Sequence, residues 1–146
     1  PQVEVTSCGS IEEPLVGRGE YPTYLACNLI YMDEKKRGFP KITQDGKDGD
    51  EEVGYVADVS DSATVGFKYF DCRGVRRVKI ETRGYLRGHF EVKTSWDGEV
   101  LGTIPVEFSN IWTEYAADVA IPDGIQAIYF TFRGHGDGHF GSFTLE

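Results

Sequence analysis

The stretch RGHGDGHFGSF, residues 133–143, carries His135, Asp137 and His139 at alternate positions. Two imidazoles and a carboxylate on one side of an extended strand would form a two-histidine, one-carboxylate metal site. The same groups could move protons near neutral pH, or line a loop whose polar tips touch an outside molecule. Gly134, Gly136 and Gly138 separate them. Glycine at every second place argues against an extended strand, and no other His or Cys cluster supports a metal. A plain surface loop and a ligand-contacting loop are the stronger readings.

The acidic run QDGKDGDEE, residues 44–52, offers the oxygen ligands that a hard cation takes. Neither Asp45 nor Asp48 starts an EF-hand pattern, which needs acidic or amide residues at positions 1, 3 and 5 and glycine at 6. A solvated turn or a ligand-facing loop remains. Hydrolysis of a glycoside needs two carboxylates across a cleft, and nothing singles out a pair. There is no GxSxG elbow and no Cys–His pairing with a third member. Catalysis within this chain is therefore not expected. Tyr55, in VGYVADV, and Trp112, in SNIWTEY, both lie at turn–strand junctions. Each ring is either core or an exposed plate. Two plates beside a polar loop would suit a sugar, whose apolar face stacks while its hydroxyls need fixed partners.

The rest of the chain must position these groups. Its 146 residues suit one domain with a sizeable core. Aromatics at 13% and 18 glycines favour strands joined by many turns. From Val53 onward, short alternating runs recur. Val78, Ile80 and Thr82 share a face, as do Phe90, Val92 and Thr94 opposite Glu91 and Lys93. Ile128, Phe130 and Phe132 alternate with Tyr129, Thr131 and Arg133. That period fits antiparallel sheets with one wet face. Asp97-Gly98, between two such runs, signals a hairpin. With VEVTS at the start, about nine strands are expected. The predicted fold is all-β, an antiparallel β-sandwich or jelly roll. It is read as a single domain over 1–146, with 8–52 as a long, irregular, loop-rich decoration and 53–146 as the core sandwich.

A net charge of −9 repels phosphate backbones and anionic lipid, so neither nucleic acid nor membrane is an expected partner. A neutral ligand meets no such repulsion. Cys8, Cys27 and Cys72 have no CxxC spacing and read as small buried thiols, with a single Cys8–Cys27 bridge as the alternative. The thiols mildly favour a reducing compartment. The chain opens at Pro1 without a methionine and reads as a piece of a longer protein, cytoplasmic or secreted.

Residues 53–146 resemble family 6-type carbohydrate-binding modules. The resemblance is carried by VGYVADVSDSATVGFKYFDCRGVRRVKIETRG, GHFEVKTSWDGEVLGTIPV, NIWTEYAADVAIPDGIQAIYFTFRG and the closing HFGSFTLE. More narrowly, the chain resembles the C-terminal xylan-binding modules, some grouped as family 91, of bacterial family 43 glycoside hydrolases (β-xylosidases and arabinofuranosidases). The resemblance implies non-catalytic binding of a β-linked polysaccharide, with xylan or xylo-oligosaccharides foremost, in a loop cleft at one end of the sandwich. Carried over, the stacking rings are Tyr55 and Trp112. His139 stands near the place of a hydrogen-bonding asparagine, and Gln44 or Asp45 contributes from the preceding loop. Imidazole both donates and accepts, so it can replace an amide. No cofactor is required. A structural calcium, the family's occasional companion, would fall to Glu4 and Glu146, although Thr6 replaces a second glutamate. Tyr21, Tyr24, Tyr31 and Phe39 in the decoration are open to three roles: covering the cleft, extending it, or packing on a neighbouring catalytic domain. The alternative function is an accessory domain that docks on its parent hydrolase and shapes that active site without binding sugar itself.

Overall fold

The computed structural model describes residues 3–4, 11–47 and 54–146. Two sheets face each other. The first runs β1 (Val3–Glu4), β4 (Asn28–Tyr31), β7 (Ala63–Cys72), β12 (Gly124–His135), β9 (Arg87–Lys93), β10 (Gly102–Val106), with β2 (Leu15–Val16) beside β7. The second runs β11 (Ser109–Asp118), β8 (Arg77–Gly84), β13 (Gly138–Leu145), β6 (Val56–Val59), β5 (Lys41–Ile42), with β3 (Gly19–Pro22) beside β13. The β2–β7 contact is parallel and the other strand pairs are antiparallel. The expected β-sandwich is present.

The sandwich closes because period-two alternation delivers large apolar side chains to one inner layer. Phe67, Phe130, Phe140 and Phe143 are all fully buried there. The Phe67 and Phe143 centroids lie 4.6 Å apart, and Phe130 and Phe140 meet at 5.1 Å in a T-shape, the offset and edge geometries that ring quadrupoles prefer. Val78, Ile80 and Thr82 point inward as the sequence predicts.

Four of the connections that cross from one sheet to the other are β6–β7, β8–β9, β10–β11 and β12–β13. Register puts them side by side, since Gly84 lies opposite both Ser109 and Gly138, and Gly138 lies opposite Val59. They form one rim of the sandwich, and RGHGDGHFGSF contains one of its arches.

The structure corrects several local expectations. Gly134 does not break a strand: β12 runs through His135, with Gly134 opposite Gly88. A Cβ on Gly88 would lie 2.1 Å from the Arg133 carbonyl oxygen, so glycine here permits close strand approach. The hairpin signalled by Asp97-Gly98 is present, with a longer connection than two residues. β9 and β10 pair across residues 94–101, with Gly98 N donating to Ser95 O at 3.2 Å. The first sheet is not wet on its outer face at Lys93, Tyr129 and Thr131, which are all buried. Burial requires partners for their polar atoms. Lys93 Nζ donates to Trp96 O at 2.8 Å, Tyr129 Oη donates to Asn28 Oδ1 at 3.0 Å, and the Thr64 and Thr131 hydroxyls meet at 2.8 Å.

Within 8–52, the described part holds strands of only two to four residues, yet they join both sheets. Ala26, Cys27 and Leu29 are buried in the sandwich. Thr23 fastens this segment: its hydroxyl donates to Phe140 O and accepts from Val56 N at 3.2 Å. Cys27 and Cys72 are both buried, and the Cys8 end of the alternative bridge lies outside the described residues. Burial, with Asp71 and Asp123 nearby, pushes the Cys72 thiol up to about 11. Among the described residues, no helix is long and apolar enough to cross a membrane.

Candidate functional site

The structure gathers Tyr55, Trp112 and His139 on the outer face of the second sheet, just inside the rim of arches. Regular pairing does not explain this gathering; three register slips do. The β11–β8 register shifts between Ser109 and Thr113, the β13–β8 register between Phe140 and Ser142, and the β13–β6 register between Gly138 and Phe140. A bulge inserts an unpaired residue and re-aims its side chain. The first bulge is held by Ser109, whose hydroxyl meets that of Thr113 at 2.8 Å and accepts from Ile111 N at 3.3 Å. It carries Trp112. The second leaves Gly141 bare beneath the indole: a Cβ there would lie 2.8 Å from Trp112 Cζ3 and 2.5 Å from Lys47 Cε.

Tyr55 and Trp112 meet edge to face with centroids 5.0 Å apart, and Tyr55 and His139 do so at 5.3 Å. Trp112 and His139 are 6.4 Å apart. A sugar ring between two aromatic plates needs carbon contacts of roughly 3.5–4 Å on each side. Tyr55 and Trp112 are too close for that. In this arrangement they form one joined surface and leave no slot between them.

Two polar atoms of the cluster, Trp112 Nε1 and His139 Nδ1, are buried without a hydrogen-bond partner. Such groups are uncommon in folded proteins and call for an explanation. Burial holds the His139 imidazole below its ordinary value of 6.5. The nearby Arg83 charge acts in the same direction, while Asp58 and Asp137 oppose it. His139 is therefore neutral at pH 7, with one nitrogen to donate and one to accept.

Gln44 and Asp45 are exposed in the loop beside Tyr55. The loop is tied to Tyr55 by its backbone: Thr43 N donates to Tyr55 O at 2.9 Å and Tyr55 N donates to Thr43 Oγ1 at 3.0 Å. All five residues expected to contact a ligand thus occupy one neighbourhood. Sequence reasoning missed Lys47 and Glu81. Lys47 Nζ stands 5.0 Å from the Trp112 ring centroid and is ion-paired with Glu81. Nothing in the charged run QDGKDGDEE distinguishes this lysine from its solvated neighbours. Glu81 was legible only as an outward position between Ile80 and Thr82.

The metal expectations fare differently. His135 and Asp137 are exposed on the rim. Among the described residues, no group of three or more His, Cys, Asp or Glu side chains converges to hold a metal ion. Glu146 faces Arg77 at 3.6 Å, and the Glu4 side chain lies outside the described residues.

The chain matches no protein-family model. It is 65% identical, over 155 aligned positions, to a xylosidase/arabinosidase of Thermoclostridium stercorarium, a match covering 99% of this chain and 33% of the relative. The chain spans about a third of the length of the curated relative it matches. A β-1,3-glucan-binding family 6 module from Bacillus halodurans superposes with a TM-score of 0.76 and 17% identity, over 92% of this chain and 99% of that one. A family 6 carbohydrate-binding module from Clostridium cellulolyticum, solved with xylose, superposes with a TM-score of 0.69 and 16% identity, over 90% of this chain and 98% of that one. The chain therefore has the fold of the family 6 carbohydrate-binding modules.

Proposed function

We propose that the chain is a non-catalytic carbohydrate-binding module of a larger glycoside hydrolase, and that it holds a xylan-type chain against the joined surface of Tyr55, Trp112 and His139. The observation that carries this reading is the convergence of three rings, placed by three register slips, with Trp112 Nε1 and His139 Nδ1 left unpartnered. A pyranose presents an apolar face to such rings and hydroxyls to such atoms. Neutral His139 supplies hydrogen bonds without selecting a charged ligand, and the acidic surface disfavours anions. Xylan is favoured among the glycans because the long relative is a xylosidase/arabinosidase and one structural neighbour was solved with xylose.

Lys47 covers one aspect of Trp112, so sugar binding is expected to swing its ammonium aside. Gln44 and Asp45 then border the ligand from the loop fastened to Tyr55. The test is migration of the pure chain through native gels containing xylan, arabinan, mixed β-glucan or no polysaccharide. Retardation in xylan is the expected result. Unchanged migration in every gel would reject sugar binding.

A second reading, docking on the parent hydrolase without independent sugar binding, is favoured by the closed contact between Tyr55 and Trp112. It predicts unretarded migration in all gels, together with loss of parent-enzyme activity when this module is deleted.

A further inference from the structure

Beyond the three-ring cluster, the rim carries a second aromatic surface. Tyr85, on the β8–β9 arch, and Phe108, on the β10–β11 arch, stack with centroids 4.7 Å apart and planes 26° from parallel. They are 70% and 46% exposed. Two large rings stacked in solvent gain less from burial than core rings do, so their exposure needs another reason.

The plate is held in place by the arches beneath it. Arg87 and Glu107 link the two arches through an ion pair at 3.3 Å. Tyr85 N donates to Asp137 O at 2.9 Å, and Tyr115 Oη donates to Glu107 O at 3.0 Å. Gly136 lies so close to the Tyr85 carbonyl that a Cβ there would overlap it, and its φ of +85° also favours glycine. The rings are thus presented on backbone already ordered by hydrogen bonds, which lowers the ordering cost of binding.

Beside the plate lies a depression of about 320 Å³. Tyr85 and Phe108 form one wall, and Arg83, Asn110, Asp137 and His139 border it with polar groups. His139 also touches Tyr55, so this depression and the three-ring cluster share a residue. An aromatic wall facing a few polar groups is the composition of a small-molecule site, and the volume is at the small end of the usual range.

We propose that the Tyr85–Phe108 plate and its depression form an additional pyranose-binding subsite, so that the module grips successive units of a β-linked chain running past His139. This rests on the carbohydrate-binding reading of the Tyr55–Trp112–His139 cluster. A ring's flat face would lie on the plate, and its hydroxyls would meet Arg83, Asn110, Asp137 and His139. Ile125, at the end of β12 away from the rim, is 41% exposed and does not border the depression. It separates a sugar subsite from a general apolar docking patch.

The test is calorimetric titration of the whole chain with xylo-oligosaccharides of two to six units, for wild type and for Tyr85→Ala, Phe108→Ala and Ile125→Ser. Thermal melts verify that each variant folds. Wild-type affinity is expected to rise with length. Each aromatic substitution should weaken the longest ligand about three- to ten-fold, with little effect on the shortest. Ile125→Ser should match wild type. Equal affinities of wild type, Tyr85→Ala and Phe108→Ala for every length would overturn the subsite and leave the three-ring cluster standing. A loss in Ile125→Ser as large as in the ring variants would also overturn it, in favour of a general apolar surface. Absence of wild-type binding at any length would remove the cluster reading and the subsite together.

Discussion

Trp112 and Tyr55 touch edge to face, 5.0 Å between ring centroids, although Trp112 lies in β11 and Tyr55 just precedes β6, at separate places in the second sheet. The contact makes one surface of two side chains, so neither acts alone. Trp112→Ala is expected to remove direct stacking, about 0.5–1.5 kcal/mol beyond area burial by analogy with aromatic pairs. Tyr55→Ala should weaken binding too, partly by releasing the indole. The double variant should then lose less than the sum of the single losses, which a double-mutant cycle of xylan-oligosaccharide affinities measures.

Gly141 provides the floor for that surface. Gly141→Val would place carbon where Trp112 Cζ3 and Lys47 Cε now sit. Sugar affinity should fall at least as far as in Trp112→Ala, while the melting temperature changes little, because the displaced groups lie on the outer face. A large drop in melting temperature would show that the indole is anchored as core.

Lys47 sits over Trp112 and pairs with Glu81. An exposed cation–π contact is worth about 0.5–1 kcal/mol. Lys47→Ala should therefore tighten binding about two- to five-fold by uncovering the ring. Weaker binding in that variant would mean that the ammonium contacts the ligand.

His139 gives a pH signature. Its imidazole is held below 6.5 in the folded chain, chiefly by burial. Between the folded value and 6.5, the unfolded chain takes up a proton that the folded chain refuses. This contribution to stability is therefore full above pH 6.5 and declines as pH falls below it. Thermal melts from pH 7.5 to 5 should show a steeper acid loss for wild type than for His139→Gln. Parallel curves would contradict the assignment.

Thr23 tests whether the 8–52 segment belongs to the sandwich energetically. Thr23→Val removes the acceptor of Val56 N and the donor to Phe140 O, both buried. Leaving such groups unpaired costs about 1–3 kcal/mol, read as a shift in the urea midpoint.

Much of the architecture was legible because period two is a local signal. Val78, Ile80 and Ile128 point inward as their alternation requires. The site was legible only in part. Family resemblance placed Tyr55, Trp112 and His139 in one neighbourhood, but their mutual contact depends on bulges at Ile111–Trp112 and Gly141, and a bulge leaves no mark in an alternating pattern. The Lys47–Trp112 contact joins residues 65 positions apart by sequence number, and no local rule reaches across that interval. Alternation with Phe90 and Val92 predicts a solvated Lys93. It is buried because residues 94–98 fold back and offer the Trp96 carbonyl to its amine. Composition alone makes Gly134 a strand breaker, but the neighbouring strand that needs its missing side chain lies about 46 residues earlier in the chain.

Titrating xylohexaose into wild type and Trp112→Ala asks whether the joined Tyr55–Trp112 surface binds a xylan chain. Measurable heat is expected for wild type, with at least three-fold weaker binding for a correctly folded Trp112→Ala. Equal affinity in the two proteins, or no binding in either, would contradict binding by that surface.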